Sequence, residues 1–129
     1  MLRPKSLMHV GILVDDLDKS IVFYQKLGLE LLRSRGPNAE GVRSAVIKAG
    51  DQELNLFSRT GLVSNDAENL LGMHHYCLSM QADSIEQLMQ DLRQAGIAVV
   101  RGPVERSDGT SVFVHDPDGV RVEMWIEKR

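Results

Sequence analysis

The stretch "MHVGILVDDLDKSIVFYQKLG", Met8 to Gly28, decides the fold, because two periodicities meet inside it. Met8 to Val14 is rich in aliphatic residues and reads as a strand. Neighbours on a strand alternate sides, so Met8, Val10, Ile12 and Val14 share one face, and His9, Gly11 and Leu13 the other. Asp15 or Asp16 then offers a helix cap. Leu17, Ile21, Tyr24 and Leu27 follow at helical spacing until Gly28 stops the helix. Further out, "GLELLRS" from Gly28 restarts an extended segment, and "GPNAEG" (Gly36 to Gly41) is a loop. Strands are expected at about Val42 to Lys48 and Glu53 to Ser58. The order is β-α-β-β-β.

The second half repeats it. "HHYCLSM" (His74 to Met80) reads as a strand, and Asp83 or Ser84 caps a helix striped by Ile85, Leu88, Met89 and Leu92. Ser84 with Gln87 three residues on reads as a capping box. Gly96 ends that helix, "GIAVV" is the next expected strand, and "RGPVERSDG" from Arg101 is an expected loop. "SVFVH" and "VRVEMWI" are strands joined by the "DPDG" turn. His9 to Gly28 is 19 residues and His75 to Gly96 is 21; His9 to Asn55 is 46 and His75 to Glu123 is 48. The chain is therefore read as two copies of one βαβββ unit at an offset of 66 to 68 residues, an α+β protein. Module one spans about 7–58, a linker 59–72 and module two about 73–127, within one domain of 129 residues.

Composition narrows the function classes. Hydrophobic content of 43% and charged content of 26% are those of an ordinary globular protein. A net charge of -3 without a basic block leaves nothing to neutralise phosphates, which argues against nucleic-acid and anionic-membrane partners. The apolar run Val10 to Val14 is far too short to span a bilayer, and with Asp15 and Asp16 close behind it and no small-residue cleavage site no secretory signal is expected. Cys77 is the single cysteine, so no internal disulfide is expected and a cytoplasmic location fits. Cys77 itself is read as a small buried apolar residue.

The strand faces carry the chemistry. Leu54 and Leu56 share a face opposite Glu53, Asn55 and Phe57; Val120, Val122, Met124 and Ile126 share one opposite Arg121, Glu123 and Trp125. The apolar faces should pack on the helices, leaving the others to line a concave surface. The repeat pairs His9 with His75, which puts His75 on that surface with Cys77 and Ser79, and turns His74 the other way with Tyr76. His9, Asn55, His75 and Glu123 thus occupy equivalent positions. Two imidazoles and a carboxylate suit a divalent metal, at roughly 2.0–2.2 Å per bond, with other positions left to water or substrate. Arg43, Phe57, Arg121 and Trp125 are candidate substrate-binding residues at the cavity mouth, with Asn55 beside them. His115 is an expected exposed strand end. The "DPDG" turn sets the register that aims Glu123.

These pieces resemble the vicinal oxygen chelate superfamily, which includes glyoxalase I, extradiol dioxygenases, fosfomycin-resistance transferases and bleomycin-binding proteins. The resemblance rests on "MHVGILVDDLDKSIVFYQKLGLELL", "GDQELNLF", "HYCLSM" and "FVHDPDGVRVEMWI", and covers nearly the whole chain. "GDQELNL" and "GPVERS" look most like small glyoxalase-domain-containing proteins, including a bacterial virulence-associated member. The resemblance implies paired βαβββ modules forming a cupped, incomplete barrel, a homodimer, and one divalent metal ion (Ni, Zn, Co, Mn or Fe) held by His9, His75 and Glu123. It implies a lyase or isomerase acting on a small-molecule substrate with vicinal oxygens, the metal as Lewis acid and Glu123 as ligand and base. Departures separate the subfamilies. Asn55 stands where a glyoxalase I normally carries Glu or Gln, and Gly11 where a thiol-adding fosfomycin transferase has Thr. Phe113 stands where an extradiol dioxygenase has Tyr. An Fe(II) dioxygenase and a non-enzymatic sequestering protein are the rival readings.

Overall fold

Among the described residues, ten short elements follow one another in two runs of the same order. The computed structural model describes residues 1–63 and 73–128. The chain divides into two compact units, Met1–Val63 and Ser64–Arg129. Residues 64–72 of the expected linker lie outside the described residues. The first unit holds β1 (His9–Leu13), α1 (Leu17–Lys26), β2 (Glu30–Arg35), β3 (Arg43–Ala49) and β4 (Gln52–Ser58). The second holds β5 (Tyr76–Ser79), α2 (Ile85–Gln94), β6 (Arg101–Glu105), β7 (Gly109–His115) and β8 (Arg121–Glu127). Each unit makes one open four-stranded sheet, in the order β1-β4-β3-β2 and β5-β8-β7-β6. In each, the first strand pairs parallel with the last and the other pairs are antiparallel. The chain is thus α+β, built on two βαβββ units. Among the described residues no helix is long and apolar enough to cross a membrane.

Local chemistry explains the boundaries. Asp16 is extended and its carboxylate accepts the backbone N–H of Lys19 at 3.1 Å, so α1 starts immediately after it. Gly28, at φ +93°, supplies the left-handed residue that ends α1. Ser84 caps α2 in the same way, accepting the N–H of Gln87 at 3.1 Å. The expected capping box is only half made, because the Gln87 amide donates forward to Asp91 at 2.7 Å. In the first unit Leu17, Ile21 and Tyr24 of α1 are buried with Ile12, Ala45, Ile47, Leu54 and Leu56 of the sheet. The second buries Leu88 and Leu92 of α2 with Val112, Val114, Val122 and Met124. Each such Val, Leu, Ile or Met side chain contributes about 1.5–3 kcal/mol on burial.

Three expectations need correction. The strand expected over His74 to Met80 begins at Tyr76, so both histidines precede it. "GIAVV" is not a strand: Ile97 is buried, and the Val100 N–H reaches the Phe113 carbonyl at 2.8 Å. Instead the expected loop after it supplies β6, whose register against β7 shifts between Arg101 and Val104. Pro103 has no N–H to give a ladder, and it is accommodated because β6 is the sheet edge and this is a bulge. Gly102 is at φ +102°, and a Cβ there would stand 2.8 Å from the Ser111 carbonyl oxygen. No other residue type fits that close approach.

Candidate metal centre

Glu123 lies in the middle of β8, flanked by Cys77 of β5 and Phe113 of β7. The register puts Ser79, Ser111 and Trp125 on the same face one step along, and Arg121 with His115 one step back. The opposite face carries Leu78, Val112, Val114, Val122 and Met124. Glu123 is buried, with 9% of its surface exposed, and a buried carboxylate must be paired or hydrogen-bonded. Ser111 Oγ donates to Oε2 at 2.6 Å, and His75 Nε2 lies 3.0 Å from Oε1. The Phe113 ring meets the His75 ring edge-on, centroids 6.1 Å apart, and Arg101 stacks its guanidinium 5.3 Å over Phe113.

The carboxylate is thereby held in one orientation. One oxygen is committed to Ser111, and the other faces an imidazole nitrogen. Two ligands bonded at about 2.1 Å and subtending about a right angle at an ion stand about 3.0 Å apart, so this spacing matches one edge of a coordination polyhedron. The donor set, one nitrogen and one carboxylate oxygen, suits a borderline divalent ion.

The first unit repeats the register. Gly11 stands opposite Asn55 as Cys77 stands opposite Glu123, and His9 opens β1 as His75 precedes β5. Asn55 Oδ1 is buried and has no hydrogen-bond partner among the described residues. An orphaned buried acceptor of this kind asks for a donor or a cation. Phe57 follows on the same face, opposite Leu13. Among the described residues no cluster of three or more His, Cys, Asp or Glu side chains gathers. His75 and Glu123 meet; His9 is exposed in its own unit.

Arg43, a candidate substrate-binding residue, lies on the opposite face of the sheet from Asn55. It shares the face of Ala45 and Ile47, the helix side, and its guanidinium pairs with Asp18 of α1 at 3.1 Å. Cys77 is exposed rather than buried. Desolvation of its thiol, with the Glu123 charge beside it and against an opposing pull from Arg106, pushes it up to about 11. It is a neutral thiol at physiological pH. Ser111 and Arg101 escaped the sequence reading. Counting back from the "DPDG" turn to align β7 with β8 would have found Ser111, whereas Arg101 lay in a segment read as loop.

The family model described as Glyoxalase/Bleomycin resistance protein/Dioxygenase superfamily matches residues 6–124. The chain belongs to this superfamily. The superfamily relatives include a lactoylglutathione lyase of Salmonella typhimurium, 34% identical, with 92% of this chain and 90% of that protein covered. A glyoxalase domain-containing protein of Mycosarcoma maydis is 31% identical over 95% of this chain and 69% of its own length. Among solved structures, a glyoxalase family protein from Enterococcus faecalis is 26% identical with a TM-score of 0.79, covering 94% of this chain and 97% of that one. The superfamily's fold is thus that of both units described above.

Proposed function

We propose that this chain is a divalent-metal-dependent, glyoxalase-like lyase or isomerase acting on a small metabolite with adjacent oxygens. His9, His75 and Glu123 are the ligands. The reading rests above all on the buried Glu123 carboxylate, fixed by Ser111 and facing His75 at 3.0 Å. The lactoylglutathione lyases among its relatives support the reaction class. His9 enters through the repeat, which gives it the position of His75.

A divalent ion here supplies Lewis-acid charge to a substrate oxygen. The chain's own groups do the rest. Ser111 keeps Oε2 of Glu123 occupied, so Oε1 is the oxygen that either faces the ion or accepts a proton from the substrate carbon. Phe113 backs the His75 ring and limits its rotation. Asn55 cannot act as a base, which leaves Glu123 as the proton acceptor in this set. Phe57, which shares the face of Asn55, and Arg121 and Trp125, which share that of Glu123, are the substrate contacts of this reading. A homodimer is part of the same reading.

A substrate panel tests it. With Ni, Co or Zn added, turnover of the methylglyoxal–glutathione adduct or another vicinal-oxygen compound is expected, and Glu123→Gln abolishes it while the protein stays folded. Oxygen consumption with catechols that depends on Fe(II) would replace this reading by a dioxygenase. Metal-independent ligand binding without turnover would replace it by a sequestering protein.

A further inference from the structure

His74 is the histidine that the strand alternation sets aside, yet its ring does not turn away from His75. The two precede β5, their rings meet edge-on at 5.1 Å, and their Nδ1 atoms are 2.8 Å apart. On its far side His74 is approached by Arg121, whose guanidinium donates to Nε2 and stands 3.4 Å from Nδ1. The tautomers then follow from one another. A guanidinium has donors and no acceptors, so Nε2 of His74 accepts and Nδ1 of a neutral His74 carries the proton. That proton is donated to Nδ1 of His75, and His75 in turn carries its proton on Nε2, directed at Glu123 Oε1.

This chain of donors is complete without a metal ion, and it is incompatible with one on His75. A ligand nitrogen must offer its lone pair, and the other ring nitrogen then bears the proton and seeks an acceptor. If Nε2 of His75 binds a cation, its proton moves to Nδ1 and is donated to Nδ1 of His74. His74 must then hold its own proton on Nε2, where it can no longer accept from Arg121. Each ring keeps one proton throughout, so the change is two linked tautomer exchanges with no net uptake or release.

Resting on the reading of His75 as a metal ligand, we propose that His74 is its positioning residue. In the ion-loaded protein its Nδ1 accepts the Nδ1–H of His75 and commits Nε2 to the cation, and the same exchange detaches Arg121 from His74. Loading at His75 is thereby coupled to a guanidinium on the substrate-facing side of β8.

Co(II) titration of the full chain, followed by calorimetry and visible absorption, tests this with three proteins. His74→Phe keeps ring size but removes the acceptor, and is expected to weaken Co(II) binding about 10- to 100-fold, the usual effect of losing such a partner. His74→Asn offers an oxygen close to the position of Nδ1 and is expected to bind nearly as the parent does. Metal-free melting temperatures of all three should agree, since His74 is exposed. Nitrogen-15 ring spectra of the parent should move the His74 proton from Nδ1 to Nε2 when Zn(II) is added. Unchanged affinity in His74→Phe, or an unmoved proton in a parent that does bind Zn(II), overturns the positioning role alone. A parent that binds neither ion overturns the metal reading with it.

Discussion

At the scale of single residues, the chemistry depends on which atoms hold Glu123. Ser111 is fully buried and its hydroxyl reaches the carboxylate at 2.6 Å. Ser111→Ala leaves Oε2 unpaired and should lower stability by about 1.5–3 kcal/mol, read by urea unfolding, because hydrogen bonds to charged groups are the costly ones to lose. The same variant should weaken ion binding, since the carboxylate would no longer be held with Oε1 toward His75. Cys77 gives a prediction of the opposite kind. Its thiol is pushed up to about 11, so at pH 8 its thiolate fraction is far below that of an ordinary cysteine. Iodoacetamide labelling of the metal-free protein should be correspondingly slow and rise only as pH approaches 11. Labelling at the rate of a free thiol near pH 8 would show that Cys77 is not desolvated as described.

At the scale of elements, the turn between β7 and β8 sets where Glu123 falls. The buried Asp116 carboxylate accepts the N–H groups of Asp118 at 2.9 Å and Val120 at 2.8 Å through the same oxygen. Asp116→Ala should cost about 1–3 kcal/mol, with Asp116→Asn milder because an amide oxygen can still accept. Retained stability in the alanine variant would mean that the strand pairing alone fixes the turn. The elements that sequence revealed are those with local causes. Asp16 and Gly28 bracket α1, Ser84 and Gly96 bracket α2, and the alternation of β4 and β8 sorts Leu54 and Leu56 from Asn55, and Met124 from Glu123. Those that it hid have distant causes. β6 exists because Arg101 and Glu105 pair with β7 around the Gly102–Pro103 bulge, and nothing within "RGPVE" announces that edge. The pairing of Arg43 with Asp18 joins β3 to α1 across 25 residues of sequence, which no local pattern announces. His74 lies before β5, where strand alternation does not govern the direction of its ring.

At the scale of the whole molecule, one unit is written twice and has diverged at one decisive position. The parallel pair β1/β4 sets Gly11 against Asn55, and β5/β8 sets Cys77 against Glu123. The second unit therefore sets a carboxylate against its histidine, while the first has an amide at the equivalent position, whose buried oxygen has no hydrogen-bond partner among the described residues. This asymmetry explains how much of the site was legible. Equivalent positions could be counted from the repeat, but the partners that orient them, Ser111, Phe113 and His74, come from strand pairing and ring packing. In the proposed function His9, His75 and Glu123 hold a divalent ion. The most direct test is isothermal titration of the metal-stripped protein with Ni(II), Co(II) and Zn(II), alongside His9→Ala, His75→Ala and Glu123→Ala. One ion per chain is expected, with each substitution weakening binding about 100-fold or more, the upper end of what loss of a supporting partner alone produces. Parent-like binding in His75→Ala or Glu123→Ala, or no binding by the parent protein, would contradict it.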